Sequence, residues 1–381
     1  MRVLQINTVC NGSTGHIACD LAYEVIKNGD ECVVAFGRGN PPKNIPYIKI
    51  GNKFSNYFHV FLTRVFDAHG VGSYFATKKL IKQIEKYNPD VIHLHNIHGY
   101  YINVKLLFKY LKQSGKKVVW TLHDCWPFTG HCVYVDAEGC QQWRSNCKKC
   151  SAKQQYPRSV CSFSQRNYKY KKLLFTSLEK DQLTIVTPSK WLANIVQQSY
   201  LSKYKTIVIN NSINTEIFKP TSSSLKQKYN LENKKVLLGV ASNWEERKGL
   251  GDFIELSRRI PEQYKIVLIG LNQQQINSLP TNILGIRRTE SMEQLAQWYS
   301  CSYAFLNLTY QDNYPTVNLE ASACGTSVIT YNTGGSVESA DYIVNHKDYN
   351  KIIEILNQGN LTKGKTQLNT SFYQDVIKLY K

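Results

Sequence analysis

The chain alternates short, mostly apolar strands with helical stretches, and this alternation limits its fold more than any other feature of the sequence. Strands rich in Val, Ile and Leu are typical of a sheet that is buried on both faces, and helices between such strands indicate a parallel sheet. The predicted strands of the first half are residues 2–7, 31–36, 90–95, 117–122, 183–187 and 206–209.

A second cycle of strands and helices begins near residue 235, after a segment at 210–224 that is rich in turn-forming residues. The 381 residues suit two domains of about 150 to 200 residues each. We therefore predict an α/β protein with two Rossmann-like domains, residues 1–212 and 213–381, and a final helix at 371–381. The second set of predicted strands is 235–241, 264–270, 282–285, 303–308 and 327–331.

The predicted helices are fewer and less sharply bounded than the strands. A Gly-rich turn is expected at residues 11–15, and a helix follows it at 16–27. In the second half, helical stretches are predicted at 252–259 and 292–300.

Composition indicates a cytoplasmic protein. No apolar run reaches the ~18 residues of a membrane span, and the first residues are typical of a strand, not of a signal peptide. Eleven cysteines, an odd number in a long chain, argue against a secreted disulfide framework.

The formal net charge is +19, and part of it is concentrated in a stretch from Gly139 to Leu178 that has no acidic residue. Basic and aromatic residues together suit an anionic membrane surface; nucleic acid and a simple solvated face are the alternatives. The aromatic residues of the stretch are Trp143, Tyr156, Phe163, Tyr168 and Tyr170. Its cations are Arg144, Lys148, Lys149, Lys153, Arg158, Arg166, Lys169, Lys171 and Lys172.

The segment 311–325 carries the strongest functional signal. It contains two acids eight residues apart, Asp312 and Glu320, and follows the predicted strand at 303–308. Pro315 suits the first position of a helix, whose free N–H groups bind phosphate. A carboxylate one or two turns into that helix suits a ribose diol. The alternative is an acidic loop followed by a solvated glutamate.

Two further groups of residues follow predicted strands, at the edge where α/β proteins bind ligands. Arg247 and Lys248 would present two cations to a diphosphate, or would simply be a solvated helix start. His123 and Asp124 follow the strand at 117–122, and a structural histidine is the alternative. The neighbouring strand ends in His93, His95 and His98, which would line a cleft, contact an acceptor or bind a metal.

A cluster of cysteines follows the strand at 117–122. Cys132, Cys140, Cys147 and Cys150 have one tight pair, Cys147-x2-Cys150, of the kind that structural zinc favours. A zinc ion would stabilise a long loop that is otherwise costly to order. Reduced thiols and disulfides remain the alternatives, and His131 is a substitute ligand.

The segment 311–325 resembles the acid-x7-acid signature of retaining family 4 glycosyltransferases, E-G-F-G-x4-E-A-x-A-C-G-x-P-V. Here Asp312 stands for the first acid, Asn-Tyr-Pro replaces Gly-Phe-Gly, and the ending matches. The D-N-x-P-T variant resembles a subgroup associated with exopolysaccharide assembly of the colanic-acid type. Residues 239–249 are similar to the family's G-R-L-x-x-x-K-G element, with Lys248 at the Lys and Asn243 at the Arg. The segment 210–224 resembles the family's interdomain linker.

The resemblance implies a GT-B fold, in which two Rossmann-like domains with parallel sheets face an interdomain cleft. It implies transfer of a hexose from a UDP- or GDP-sugar to a saccharide acceptor, linked to polyisoprenyl diphosphate, in bacterial surface polysaccharide synthesis. Catalysis would need no cofactor, and the enzyme would work at the inner face of the cell membrane, without a nucleic-acid partner. A nucleotide-sugar epimerase or phosphorylase, and a zinc-stapled nucleic-acid-binding protein, are the alternatives.

The resemblance also implies roles for individual residues. His123, Asp312, Glu320 and Lys248 would be catalytic, with Glu320 on the ribose, Asp312 on the donor sugar and Lys248 on the diphosphate. His95, His98 and Asp124 would face the acceptor. The donor-binding residues would be Gly15, Asn243, Arg247, Lys248, Asn313, Tyr314, Pro315, Thr316, Val317 and Glu320.

Overall fold

The structure, a computed structural model, describes residues 1–135, 139–148, 150–362 and 368–381. The chain forms two compact units, one of Met1–Asn210 with Ser371–Lys381 and one of Asn211–Thr370. Each unit contains one parallel sheet with apolar core residues on both of its faces. The predicted α/β class, with two Rossmann-like parallel sheets, is therefore confirmed.

The first unit has a seven-stranded sheet in the order β3-β2-β1-β4-β5-β6-β7. Its strands are β1 (Arg2–Asn7), β2 (Glu31–Phe36), β3 (Tyr47–Lys49), β4 (Val91–Leu94), β5 (Lys117–Thr121), β6 (Leu183–Thr187) and β7 (Lys205–Val208). Its helices are α1 (Gly12–Lys27), α2 (Lys53–Phe66), α3 (Tyr74–Tyr87), α4 (Val104–Ser114), α5 (Ser164–Phe175) and α6 (Lys190–Gln197), together with α13 (Phe372–Lys378) from the end of the chain.

The second unit has a six-stranded sheet in the order β10-β9-β8-β11-β12-β13. Its strands are β8 (Lys235–Val240), β9 (Tyr264–Ile269), β10 (Ile283–Ile286), β11 (Ala304–Asn307), β12 (Val328–Tyr331) and β13 (Tyr342–Val344). Its helices are α7 (Leu225–Lys228), α8 (Leu250–Ser257), α9 (Gln273–Asn277), α10 (Met292–Cys301), α11 (Thr316–Ala323) and α12 (Tyr349–Asn357).

The central strands are apolar on both sides because helices cover both faces of each sheet. In β1, Leu4 and Ile6 belong to one core and Val3 to the other, and all three are fully buried. This is the arrangement that a continuous apolar strand predicts. The predicted strands agree with the observed ones to within one or two residues.

Several elements differ from the sequence-based predictions, and of the helices in the first unit only α1 and α13 were predicted. The edge strands β3 and β13 were not predicted, because each has only three residues and too little apolar pattern to be noticed. The predicted turn at residues 11–15 is wrong in extent, since α1 already begins at Gly12.

Among the helices that the structure describes, none combines the length and the apolar character needed to cross a membrane.

The order of strands reverses at one point in each sheet. In the first sheet the chain moves outward from β1 to β3 and resumes at β4 on the other side of β1; in the second, β8 and β11 are the corresponding neighbours. In open parallel sheets a crevice forms outside the carboxyl ends of the strands at such a reversal. The loops that follow β1, β4, β8 and β11 are therefore the places where a ligand site is expected.

Helix α13 completes the core of the first unit. Phe372, Val376, Ile377 and Tyr380 are buried with residues of α1 and of the sheet. The Tyr380 hydroxyl accepts a hydrogen bond from Gln5 Nε2 (3.0 Å) and lies 2.6 Å from His93 Nδ1. The last residues of the chain are thus bonded to its first and fourth strands.

We predict that Tyr380→Phe lowers the free energy of unfolding of the first unit by about 1 to 3 kcal/mol, because it leaves two buried polar groups without a partner. Tyr373→Phe in the same helix is the matched control, since the Tyr373 hydroxyl makes only a 3.5 Å contact with Asp20 at the surface. Urea unfolding of the purified variants measures both. Equal stability of the two variants would contradict the structural role of Tyr380.

Candidate functional site

In the second unit, the loops that follow β8 and β11 are joined by an ion pair. Lys248 Nζ lies 2.7 Å from Asp312 Oδ2, and each side chain is less than a fifth exposed. The Arg247 guanidinium donates to the Gln311 carbonyl (2.8 Å), and the Arg247 carbonyl accepts from the Tyr310 N–H (2.9 Å). Two segments 64 residues apart in sequence are therefore held together at the reversal of the sheet.

Gly249 allows this close approach. It has φ of +74°, and a Cβ atom there would lie 2.1 Å from the Leu308 carbonyl oxygen, so no other residue fits without a shift of the backbone. The turn Glu246–Lys248 can therefore lie directly against the end of β11. Arg247 and Lys248 lie in this single helical turn, and α8 begins only after them, at Leu250.

Helix α11 begins beside the ion pair. Pro315 occupies the N-cap position, one residue earlier than predicted, and the helix ends at Ala323, before Gly325 with φ of +79°. The first backbone N–H groups of a helix have no partner within it, and they carry a partial positive charge. The Asn313 N–H donates to Asp312 Oδ1 (3.0 Å), which orients the Asp312 carboxylate.

Glu320 lies one turn into α11 and is half-buried. Its Oε2 accepts a hydrogen bond from the Tyr299 hydroxyl (2.9 Å). Burial raises the pKa of Glu320 to about 7, although hydrogen bonds from Tyr299 and Thr316 act in the opposite direction. A carboxyl group held in this way is costly to ionise, which is typical of functional sites.

Two further residues that were predicted to bind the donor are Tyr314 and Asn243. Tyr314 is buried, and its carbonyl accepts from Asn211 Nδ2 (3.2 Å). The exposed side chain of Asn243 donates to Glu245 Oε1 (3.0 Å) and lies beside the turn that carries Lys248. The structure thus brings Arg247, Lys248, Asp312 and Asn313 together, while Asn243 bonds to its own loop.

In the first unit, a chain of buried hydrogen bonds connects Tyr380 to His123. His95 Nε2 lies 2.8 Å from Gln5 Oε1, and His95 Nδ1 lies 3.1 Å from His123 Nε2. Because the Gln5 oxygen can only accept, His95 Nε2 must donate, so His95 Nδ1 must accept from the His123 Nε2–H. This assigns His123 the tautomer in which Nδ1 is the acceptor.

Burial keeps these imidazoles neutral. Burial lowers the pKa of His93 to about 3 and that of His123 to about 4, and it holds the pKa of His95 well below its usual value. His93 and His95 stack with their ring centroids 4.2 Å apart. His123 is the least buried of the three, so it is the one that a ligand would reach. A neutral imidazole there supplies hydrogen bonds, not charge.

A second group lies beside this chain. His98 Nε2 is 2.7 Å from Asp124 Oδ2, and His98 Nδ1 is 3.2 Å from the Tyr156 hydroxyl. Burial raises the pKa of Asp124, but His98 and the Trp126 N–H together outweigh it, so the pKa stays below its usual range.

Gly15 lies in α1, where a Cβ atom would come within 2.6 Å of the Cys10 backbone. The backbone that Gly15 approaches closely is therefore that of the preceding loop.

Sequence analysis missed Gln5, Tyr380 and Tyr156. A polar glutamine in the middle of an otherwise apolar strand was a usable signal for a buried network. Tyr380 carried no signal, because its partners lie at the other end of the chain. Tyr156 was noted only as one of the aromatic residues of the basic stretch, and its contact with His98 could not be foreseen from the sequence.

The basic stretch is less uniform than predicted, and part of that interpretation is wrong. Lys171 is buried: its Nζ donates to the Trp126 carbonyl (2.6 Å) and lies over the Trp126 ring. Trp143 and Tyr168 are also buried. Lys149 lies outside the described residues. The cations of the stretch that are exposed are Arg144, Lys148, Arg158, Arg166, Lys169 and Lys172.

The raised pKa of Glu320 gives a prediction for stability against pH. Above pH 7 the folded protein must ionise a carboxyl group that it would otherwise keep protonated, and this cost disappears as the pH falls from about 7 towards 4.5, the usual pKa. Glu320→Gln, which is always neutral, is therefore expected to stabilise the second unit at pH 8 by up to about 3 kcal/mol and to have little effect near pH 4.5.

Thermal unfolding of Glu320→Gln at both pH values measures the effect. Glu354→Gln, in the exposed Lys351–Glu354 pair, is the control and is expected to change stability by less than about 0.5 kcal/mol at either pH. A stabilisation by Glu320→Gln that is the same at both pH values would contradict the raised pKa.

Comparison with known proteins agrees with this geometry. The sequence profile named Glycosyltransferase Family 4 matches residues 15–217, and that named Glycosyl transferases group 1 matches residues 234–358. The colanic acid biosynthesis glycosyl transferase WcaC of Escherichia coli (strain K12) is 26% identical over 226 residues. That alignment covers 56% of this chain and only 55% of WcaC, about half the length of this relative.

Solved structures resemble the whole chain. Alr3699/HepE of Anabaena, in complex with UDP and glucose, has a TM-score of 0.68 at 15% identity, covering 99% of this chain and 98% of that one. Sucrose-phosphate synthase of Thermosynechococcus elongatus has a TM-score of 0.66 at 14% identity, covering 100% and 95%. At such identities the likeness shows the fold alone, which is of the GT-B class. With more than half of its residues matched by the family profile, the chain belongs to glycosyltransferase family 4.

Proposed function

We propose that the protein is a retaining glycosyltransferase that moves a hexose from a UDP- or GDP-sugar to a saccharide linked to polyisoprenyl diphosphate, in bacterial surface polysaccharide synthesis. The observation that carries the proposal is the Lys248–Asp312 pair at the strand-order reversal, beside the N-terminus of α11. Family membership supports the reaction class, and the relative named for colanic acid biosynthesis supports the pathway class.

The donor diphosphate binds between Lys248 and the first N–H groups of α11. A Lys ammonium and a helix N-terminus are both complementary to phosphate. Arg247 positions the loop by its hydrogen bond to the Gln311 carbonyl. Glu320 accepts from the ribose hydroxyls, and Asp312 accepts from hydroxyls of the donor sugar. The structures of HepE in complex with UDP and glucose and with UDP-glucose support a uridine nucleotide.

In the reaction, the bond between the anomeric carbon and the diphosphate oxygen breaks, and its electron pair leaves with the diphosphate. The acceptor hydroxyl attacks from the same face, and its proton passes to the departing phosphate oxygen. Lys248 stabilises the charge that develops on the diphosphate, which is the kind of electrostatic assistance that contributes most in such sites. No protein nucleophile and no cofactor take part.

In the first unit, His123 hydrogen-bonds a sugar hydroxyl through Nδ1, whose acceptor role is fixed by His95 and Gln5. His95 positions His123. His98 and Asp124 form a buried pair that contacts acceptor hydroxyls, with the Asp124 carboxylate held ionised by its hydrogen bonds.

We predict that Lys248→Ala lowers kcat/KM for sugar transfer by about 100- to 1,000-fold, because it removes an electrostatic stabiliser of the leaving group. Glu320→Ala is expected to weaken nucleotide binding and to abolish turnover. Transfer from a panel of UDP-, GDP- and ADP-sugars is measured by product analysis, which also separates a transferase from an epimerase, since an epimerase needs no acceptor. Thermal shift with the free nucleotides reports binding.

The controls are Lys351→Ala and Glu354→Ala. Lys351 and Glu354 form an ion pair with the same 2.7 Å separation as Lys248 and Asp312, but on an exposed helix face. Their variants are expected to keep activity. Wild-type activity in Glu320→Ala, with a native circular dichroism spectrum, would refute the assignment of the donor site.

We also propose that the first unit docks on an anionic membrane surface, where a polyisoprenyl-linked acceptor lies. Helix α2 has its polarity inverted: His59 and Thr63 face inward and are fully buried, while an aromatic row faces solvent. His59 explains the inversion, because Nδ1 bonds to Ser73 Oγ (2.9 Å) and Nε2 accepts from two backbone N–H groups. The exposed aromatic row is Phe54, Tyr57, Phe58, Phe61 and Phe66, and Tyr74 and Phe75 at the start of α3 are also exposed.

Cations lie next to this aromatic row. The basic stretch contacts the end of α2, where the Arg166 guanidinium donates to the Phe66 carbonyl and the Val160 N–H donates to the Arg64 carbonyl, both at 2.8 Å. Exposed aromatic side chains flanked by Lys and Arg are typical of surfaces that lie in the interface of an anionic bilayer. Each cation near such a surface contributes about 1 kcal/mol at physiological salt.

We predict that the double variant Phe58→Ser, Phe61→Ser binds anionic vesicles at least about tenfold more weakly than the wild type, a change of about 1.4 kcal/mol. Both rings are 53% exposed, so the fold is expected to remain intact. Sedimentation with phosphatidylcholine vesicles of rising phosphatidylserine content, at low and high salt, measures binding.

Ile343→Ser is the matched control, because Ile343 is 51% exposed but lies in the second unit. It is expected to bind as the wild type does. If vesicle binding changes neither with salt, nor with phosphatidylserine content, nor in the double variant, this docking surface is refuted.

A further inference from the structure

The four cysteines of the loop between β5 and α5 converge on one small cavity. Cys132, Cys140, Cys147 and Cys150 line a space of about 20 Å³, together with His131 and the apolar side chains of Val135 and Trp143. Such a volume holds about one water-sized particle. Three separate parts of the loop are thus brought to one point.

His131 gives an independent sign that this cavity receives a ligand. Its Nδ1 lies 2.7 Å from Asp67 Oδ1, and both side chains are fully buried. Because the carboxylate takes the Nδ1–H, Nε2 is left with its lone pair, and this buried atom has no hydrogen-bond partner among the described residues. A histidine that donates one N–H to a carboxylate and presents the other nitrogen is the usual form of a metal ligand.

The surrounding backbone is shaped to hold the cluster. The Gly130 N–H donates to Cys147 Sγ (3.2 Å), and Ser164 Oγ donates to the Cys147 carbonyl (2.8 Å). Asp67 also accepts from the Phe163 N–H (2.8 Å), so the carboxylate that orients His131 also anchors the start of α5. In the described part of this loop, only short helical turns provide regular structure, as at Trp126–Phe128, Gln142–Arg144 and Ser151–Gln154.

We propose that this cluster binds one structural zinc ion, with Cys132, Cys147 and Cys150 as three ligands and either Cys140 or His131 as the fourth. Thiolate and imidazole together select zinc, which takes four ligands in a tetrahedron. No three ligand side chains among the described residues are already arranged to hold a metal ion, so the proposal requires the thiol side chains to reorient when the ion binds. None of the eleven cysteines, all of which lie within the described residues, is joined in a disulfide.

The zinc ion would fix more than the loop itself. Tyr156 follows the cluster and contacts His98, whose other nitrogen bonds to Asp124. The loop thereby supports one of the two polar groups of the first unit. Loss of the ion is expected to expose backbone amides between residues 125 and 162 to hydrogen exchange, while the sheet of the second unit is unaffected.

The test uses the full chain, purified without added metal. Elemental analysis is expected to find about one zinc per chain, and a chelator is expected to remove it, lower the midpoint of thermal unfolding and raise the number of reactive thiols. Cys147→Ser is expected to bind less than about a tenth of an equivalent. Cys161→Ser is the matched control: Cys161 is exposed in the same loop but outside the cluster, and this variant is expected to keep the ion.

Two further variants identify the fourth ligand. Zinc loss in Cys140→Ala or in His131→Gln supports the site and names that ligand, whereas retention of zinc by both would contradict a four-coordinate site. If Cys147→Ser fails to fold, chelation of the wild-type protein still tests the proposal. Less than a tenth of an equivalent in the wild type, with the cluster thiols freely titratable or joined in disulfides, would overturn it.

Discussion

The parallel register of the two sheets, with one reversal of strand order in each, is the constraint on which both candidate sites depend. Because β8 and β11 are neighbours that run in the same direction, the loops after them must meet at one edge. Lys248 and Asp312 are paired for this reason, although three strands and the helices between them separate the two residues in sequence. The same reasoning brings the end of β1 to the histidines that follow β4. The helices supply the packing that fixes the sheets, and the loops supply the chemistry.

The functional groups are held at some cost in stability. Partial burial raises the pKa of Glu320 to about 7, and a row of imidazoles is buried without charge in the first unit. Each group is compensated by specific partners, Tyr299 in one unit and Gln5 with Tyr380 in the other. A buried polar network of this kind is favourable only when every member has its partner. Such sites are therefore sensitive to changes several residues away from the ligand.

Sequence patterns predicted the fold well where burial dominates, and less well where a single contact decides. The central strands were predictable because they are apolar on both faces, whereas three-residue edge strands such as β13 offer no such pattern. Asp312, Glu320 and Lys248 were predicted as site residues from spacing and resemblance. The ion pair between Lys248 and Asp312 was not predicted, since it depends on Gly249 lying against Leu308. Lys171 was taken as a surface cation, because no local pattern shows that a lysine is buried under a tryptophan ring.

The return of α13 to the first unit has a consequence for how the protein is made. Because Gln5 Nε2 and His93 Nδ1 are hydrogen-bonded to the Tyr380 hydroxyl, the first unit lacks part of its core until α13 has been synthesised. The second unit has all of its strands by Val344 and can complete its sheet earlier. The first unit is thus translated before the second unit, but its core is completed after the sheet of the second unit. A chain without α13 would still contain every strand of the second sheet, but β1 and β4 would lack their hydrogen bonds to Tyr380.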